Sequence, residues 1–120
     1  MDKKELKREY KEAKQKNGVF QIRNTVNGKV YVAAAMNIEA SFNSCRFQLK
    51  HGSTFFTKTL IDDWKKYGED KFVFEILEEL KYPEDGFFDE RFELKKLEKK
   101  WLEALQPYDD SGYNRKKIER

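Results

Sequence analysis

Residues Gly18 to Ala35, GVFQIRNTVNGKVYVAAA, constrain this chain more than any other stretch. Two short apolar runs meet at Asn27-Gly28. Asn-Gly tolerates the positive φ angles of a type I′ turn, so the pattern predicts a β-hairpin. In the first arm Phe20 and Ile22 alternate with Val19, Gln21 and Arg23; in the second, Tyr31 and Ala33 alternate with Val30 and Val32. Side chains alternate across a sheet, so Phe20 and Ile22 share one face. Ala33 to Ala35 close the second arm with small side chains, where another backbone or a ligand can come close.

The rest of the chain reads as helices laid against the hairpin, plus one later strand. Residues 2–16 form a charged helix with a thin stripe of Leu6, Tyr10 and Ala13. Asn37 caps a helix over Ile38 to His51, with Ile38, Phe42, Cys45 and Leu49 on its inner face and Gly52 as its stop. Ser53 or Thr54 caps the next helix, which carries Phe56, Leu60 and Trp64 and runs to about Tyr67. Lys71 to Leu77, KFVFEIL, is a strand by its β-branched and aromatic content. The last helix runs from about Asp89 to Leu105 and stops before Pro107. Three strands with helices packed around them make an α+β fold.

At 120 residues the chain fits one domain. Its ten Phe, six Tyr and two Trp supply a core beneath a surface that makes the chain 39% charged. The formal net charge is only +3, too small to identify a partner. Basic residues gather in the first sixteen positions and at Arg115, Lys116, Lys117 and Arg120, and acidic ones between Glu69 and Glu93. A basic end of this kind suits phosphate or is an ordinary solvated face. The single cysteine, Cys45, suits a reducing cytosol. No apolar run approaches membrane-spanning length and the N-terminus is not signal-like, so a cytoplasmic protein without a membrane partner is expected.

The chain resembles the GIY-YIG nuclease domain family. Gly18-Val19-Phe20 stands where the first motif would be and Tyr31-Val32-Ala33 where the second would be. The likeness continues in order through Asn37-Ile38, the block DDWKKYGEDKFVFEILEEL, the LEKKWL helix and Gly112-Tyr113-Asn114. Expected boundaries are a charged N-terminal helix over 1–17, the GIY-YIG-like domain over 18–114 and a basic tail over 115–120. The resemblance implies a small three-stranded antiparallel sheet flanked by helices. It also implies phosphodiester cleavage with one divalent metal, Mg²⁺ or Mn²⁺. Two tyrosines would line the site, a helix arginine would hold the phosphate, a glutamate would bind the metal and an asparagine would shape the site.

Carried over residue by residue, Tyr31, Glu98 and Asn114 match, and Glu98 is the implied metal ligand. Phe20 stands at the first tyrosine; it keeps the ring but cannot relay a proton or orient water. Ser41 stands at the helix arginine and carries no charge for a phosphate oxygen. Ala33 replaces the second motif's glycine, and Cys45 replaces a frequent histidine. Glu98 also stands out by its spacing, four residues after Leu94 and three before Trp101, beside the apolar face of its helix. Two readings of it stay open: a carboxylate drawn into a site, or one on the rim that reaches water or pairs with Lys95 or Lys99. Tyr31 also reads as a half-buried strand aromatic, and Cys45 as a small core residue.

Arg23, Lys29, Arg46 and Lys50 are candidate nucleic-acid contacts, each with an ordinary surface role as its alternative. Arg46 points about 140° away from Ser41 on an ideal helix, so it is no direct substitute. The resemblance with these departures implies a nucleic-acid-binding protein, DNA favoured, with impaired or lost cleavage. One alternative is an active metal-dependent DNA endonuclease with a rearranged site. Another is a protein-interaction module using the charged first helix.

Overall fold

The computed structural model describes residues 16–52, 55–83 and 86–115. Residues 2–15 of the helix expected over 2–16 and the tail after Arg115 lie outside the described residues, and Lys16, the last position of that helix, is not helical. Within them the sheet has three antiparallel strands: β1 (Gly18–Asn24), β2 (Val30–Ala35) and β3 (Phe72–Glu79), in the order β2-β1-β3. Three helices follow the expected pattern: α1 (Ile38–His51), α2 (Lys58–Tyr67) and α3 (Glu90–Leu105). The fold is therefore α+β, as the element order implied.

The hairpin forms where expected, but its turn is not type I′. That turn needs positive φ at both central residues, whereas only Gly28, at φ 77°, has it. Asn24 Oδ1 accepts from the Val26 amide at 2.8 Å, and Asn27 Oδ1 accepts from the Lys29 amide at 2.9 Å. The backbone closes through the Gly28 amide to the Asn24 carbonyl and the Asn24 amide to the Lys29 carbonyl. Side-chain capture of backbone N–H groups thus shapes a wider loop over residues 25–28.

Cβ alternation places Phe20, Ile22, Tyr31, Ala33 and Ala35 on one face of the sheet. α1 and α2 cover it, and the core there joins Phe20, Ile22, Ile38, Leu49, Phe56, Leu60, Trp64, Phe72 and Tyr113. α3 packs against β1 and β2, and Val19, Val32 and Leu94 are buried on that side. Asn37 caps α1 as expected, its side chain accepting from the Ala40 amide at 3.1 Å. Asp89 caps α3 by accepting from the Phe92 amide at 3.2 Å.

α2 starts later than expected. Its N-cap is Thr57, and Phe56 lies in the preceding loop. The Thr57 hydroxyl makes no capping bond; it donates to the Tyr113 carbonyl at 2.8 Å. β3 runs on to Glu79, beyond the apolar run that suggested it. Glu78 is held there by the Lys100 ammonium and the Trp101 indole N–H, each at 2.9 Å.

Candidate active site on the outer edge of β2

β1 pairs with only one side of β2, so the other side presents unpaired backbone groups. Such an edge must be covered or it will pair with another chain. Here two later segments cover it. Gly112 bridges to Val30 in parallel, and the Tyr113 amide donates to the Val30 carbonyl at 2.9 Å. Asn114 follows and acts like a short strand through its side chain. Its Oδ1 accepts from the Val32 amide at 2.8 Å, and its Nδ2 donates to the Val32 carbonyl at 2.7 Å. Next along the edge, the Ala34 amide donates to Glu98 Oε2 at 3.2 Å.

Tyr31, Glu98 and Asn114 therefore meet at one strand edge. The Glu98 carboxylate, half-buried on α3, is tied to β2 rather than set on an outer rim. The Tyr31 ring lies on the α1–α2 side, edge-on to Phe56 with centroids 5.2 Å apart. Burial pushes its hydroxyl up to about 12, with the nearby Cys45 and Glu98 adding to the rise and the Arg115 charge opposing it. At neutral pH Tyr31 is a protonated group whose hydroxyl can orient a neighbour. Cys45 is a buried wall residue, its thiol pushed up to about 11 by burial against the smaller opposing effect of Arg46.

The two departures from the motif pattern have clear structural places. Phe20 pairs with Ala33 and is 2% exposed, its ring edge-on to Phe42 at 5.2 Å. Its ring is core, and no hydroxyl extends from it. Ser41 is half-buried in the first turns of α1, with its amide bonded to the Asn37 carbonyl.

The four candidate cations are dispersed. Arg23 projects from the sheet face opposite Tyr31, and its Nε lies 2.8 Å from Glu75 Oε1. That hydrogen bond holds the Glu75 carboxyl below its usual value, against a smaller opposing effect of burial. Arg46 lies over the Phe74 ring of β3, its guanidinium carbon 4.3 Å from the centroid. Lys29 sits at the turn end of β2, with Nζ 6.0 Å from the Tyr113 ring centre. Lys50 is exposed in the last turn of α1.

Sequence reasoning did not single out two participants. Tyr113 is 1% exposed; its hydroxyl donates to Asp63 Oδ2 at 2.7 Å and accepts from Asn24 Nδ2 at 3.0 Å. It pins the tail that carries Asn114. Arg115, read only as part of a basic run, is the residue after Asn114, and its charge acts on the Tyr31 hydroxyl. Its position directly behind a matched motif residue was the available signal.

Among the described residues no group of three or more His, Cys, Asp and Glu side chains could cage a metal. Glu98 alone does fit a magnesium-type ion, which keeps most of its waters and takes one or two carboxylates plus substrate phosphate. No helix among the described residues is long and apolar enough to cross a membrane.

No protein-family model matches the chain. The chain is 38% identical over 88 residues to intron-associated endonuclease 1 of Enterobacteria phage T4. That match takes in 71% of this chain and 34% of the relative, so the chain spans about a third of that protein's length. Among solved structures, the catalytic domain of the homing endonuclease I-TevI superposes with a TM-score of 0.66 at 30% identity, covering 82% of this chain and 96% of that domain. A mutant of the catalytic domain of intron endonuclease I-TevI gives 0.68 at 29% identity, covering 83% of this chain and 93% of that one. The agreement in sequence, in fold and in nearly the whole extent of that domain means that this chain belongs to the GIY-YIG nuclease domain family.

Proposed function

We propose that this chain binds nucleic acid, DNA by preference, and that its phosphodiester cleavage is impaired or lost. The reading rests on the line of Tyr31, Asn114 and Glu98 along β2, kept beside a buried Phe20 and an uncharged Ser41. Similarity to proteins named as endonucleases supplies the substrate class. A divalent ion at Glu98 would supply charge for a phosphate oxygen and a more acidic water. Asn114 fixes the strand edge, and Tyr31 offers a neutral hydroxyl to orient that water. Phe20 offers none. Losing a preorganised charge or donor of this kind typically costs about 3–4 kcal/mol, a hundred- to thousand-fold in rate. Cys45, a free buried thiol, fits work in the cytoplasm.

An active enzyme with a rearranged site is the second reading, favoured by Tyr31, Glu98 and Asn114 remaining at one edge. Supercoiled plasmid with Mn²⁺ separates the two. We expect wild-type protein to bind plasmid in a salt-dependent way and to nick it little or not at all. Phe20→Tyr with Ser41→Arg should raise nicking at least a hundred-fold, and adding Glu98→Gln should abolish the gain. Efficient wild-type nicking that Glu98→Gln removes would establish the second reading. Absence of any salt-dependent binding would end the first.

A further inference from the structure

We infer that Arg115 is the phosphate-gripping cation of this site, standing in from the C-terminal tail for the charge that Ser41 lacks. The inference rests on the nucleic-acid-binding reading above. The tail runs parallel to β2 along its outer edge, with Gly112 opposite Val30 and the Asn114 side chain on both backbone groups of Val32. The next outward group of β2 is the Ala34 amide, which donates to Glu98. Arg115 therefore leaves the edge at the step between Asn114 and Glu98. Its charge and that of Glu98 act in opposite senses on the Tyr31 hydroxyl, so both lie within electrostatic reach of that phenol.

The mount is firm. Besides its two bonds to Val32, Asn114 donates its own amide to the Pro107 carbonyl at 2.9 Å, and Tyr113 is locked in the core. A cation whose Cα is fixed beside the site is partly preorganised for a ligand there. Arg115 is exposed, so an incoming phosphate can reach it. A guanidinium presents paired N–H groups that match two phosphate oxygens. Arg23 and Arg46 cannot fill this place, since one sits on the opposite sheet face and the other above β3.

The test is fluorescence anisotropy of a labelled duplex DNA across a salt series, with EDTA present to prevent cleavage. The variants are Arg115→Gln, Arg115→Lys, Arg115→Gln with Ser41→Arg, and Arg115→Gln with Glu103→Lys. Glu103 is an exposed α3 residue away from the β2 edge, so that last variant more than replaces the lost bulk charge without adding a cation to the site. Arg115→Gln should weaken binding about tenfold and lower the magnitude of the salt slope by about 0.9, as for one lost phosphate contact. Arg115→Lys should keep the slope with weaker binding, and Ser41→Arg should restore affinity where Glu103→Lys does not. Wild-type binding with Arg115→Gln unchanged overturns this inference alone, and so does recovery by Ser41→Arg no better than by Glu103→Lys. Failure of wild type to bind removes the parent reading together with it.

Discussion

Tyr31 and Tyr113 differ in role but share an environment that resists ionisation. Burial is the main cause for both, and each hydroxyl is pushed up to about 12 from an ordinary 10. Asp63 adds to the rise at Tyr113, while the Asn24 amide opposes it. Below pH 10 both are protonated in the folded and the unfolded chain, so their contribution to stability is fully present. Between pH 10 and about 12 the unfolded chain ionises first, and that stability is lost as pH rises. Unfolding should therefore set in within this window, with the tyrosinate absorbance of both residues appearing together with loss of circular dichroism. Tyr113→Phe should remove part of the alkaline sensitivity. It should also cost about 1–3 kcal/mol at neutral pH, since it leaves a fully buried Asn24 amide short of a partner. Full ionisation of both residues near pH 10 in a still-folded protein would contradict the assignment.

At the scale of elements, two glycines set distances that a side chain would break. A Cβ on Gly18 would lie 2.2 Å from the Glu78 carbonyl oxygen and 2.8 Å from the Glu79 Cα, where the β1–β3 register shifts. A Cβ on Gly112 would lie 2.4 Å from the Pro107 carbonyl carbon and oxygen. Neither obstacle is a flexible side chain, so backbone must move. Gly112→Ala should push the tail off β2 and cost about 1–3 kcal/mol in urea unfolding. Its specific signature is faster hydrogen exchange at the Val32 amide, whose acceptor is Asn114 Oδ1, with the Phe20 amide unchanged. Equal exchange at both amides in wild type and variant would show that the tail does not depend on this close approach.

The same scale shows what the sequence could reveal. Asn37, Asp89 and the apolar periodicity of α1 and α3 act within a few residues, and those helices were legible. The hairpin was legible too, but not its turn, because the Asn24 side chain captures the Val26 amide. The start of α2 was hidden because the Thr57 hydroxyl at its N-terminus does not cap the helix but donates to the Tyr113 carbonyl, 56 residues away. The end of β3 was hidden because Glu78 is held by Lys100 and Trp101 from α3. Tyr31, Glu98 and Asn114 were found through motif resemblance. Their meeting at one strand edge depends on hydrogen bonds spanning 82 and 64 residues, which no local pattern encodes. Arg115 looked like one charge in a basic run until the tail was placed.

Across the whole molecule, the C-terminal tail closes the sheet and completes the site in the same stroke. Its bonds to Val30 and Val32 satisfy an edge that would otherwise be open, and Tyr113 fills the core between the turn and α2. Ending the chain at Ser111 would strip both functions at once. The truncated protein should lose several kcal/mol, since a buried aromatic ring alone is worth about 3–5 kcal/mol on removal. Its exposed β2 edge should also drive self-association. Asn114→Ala keeps Tyr113 and should affect the edge with less loss of core stability. Thermal unfolding and light scattering after size exclusion would distinguish them: aggregation or a large melting-point drop for the truncation, and a folded protein with a smaller drop for Asn114→Ala. A truncated chain as stable and as monodisperse as the full one would mean that the sheet stands without its tail. The shared use of one segment would then have no energetic basis.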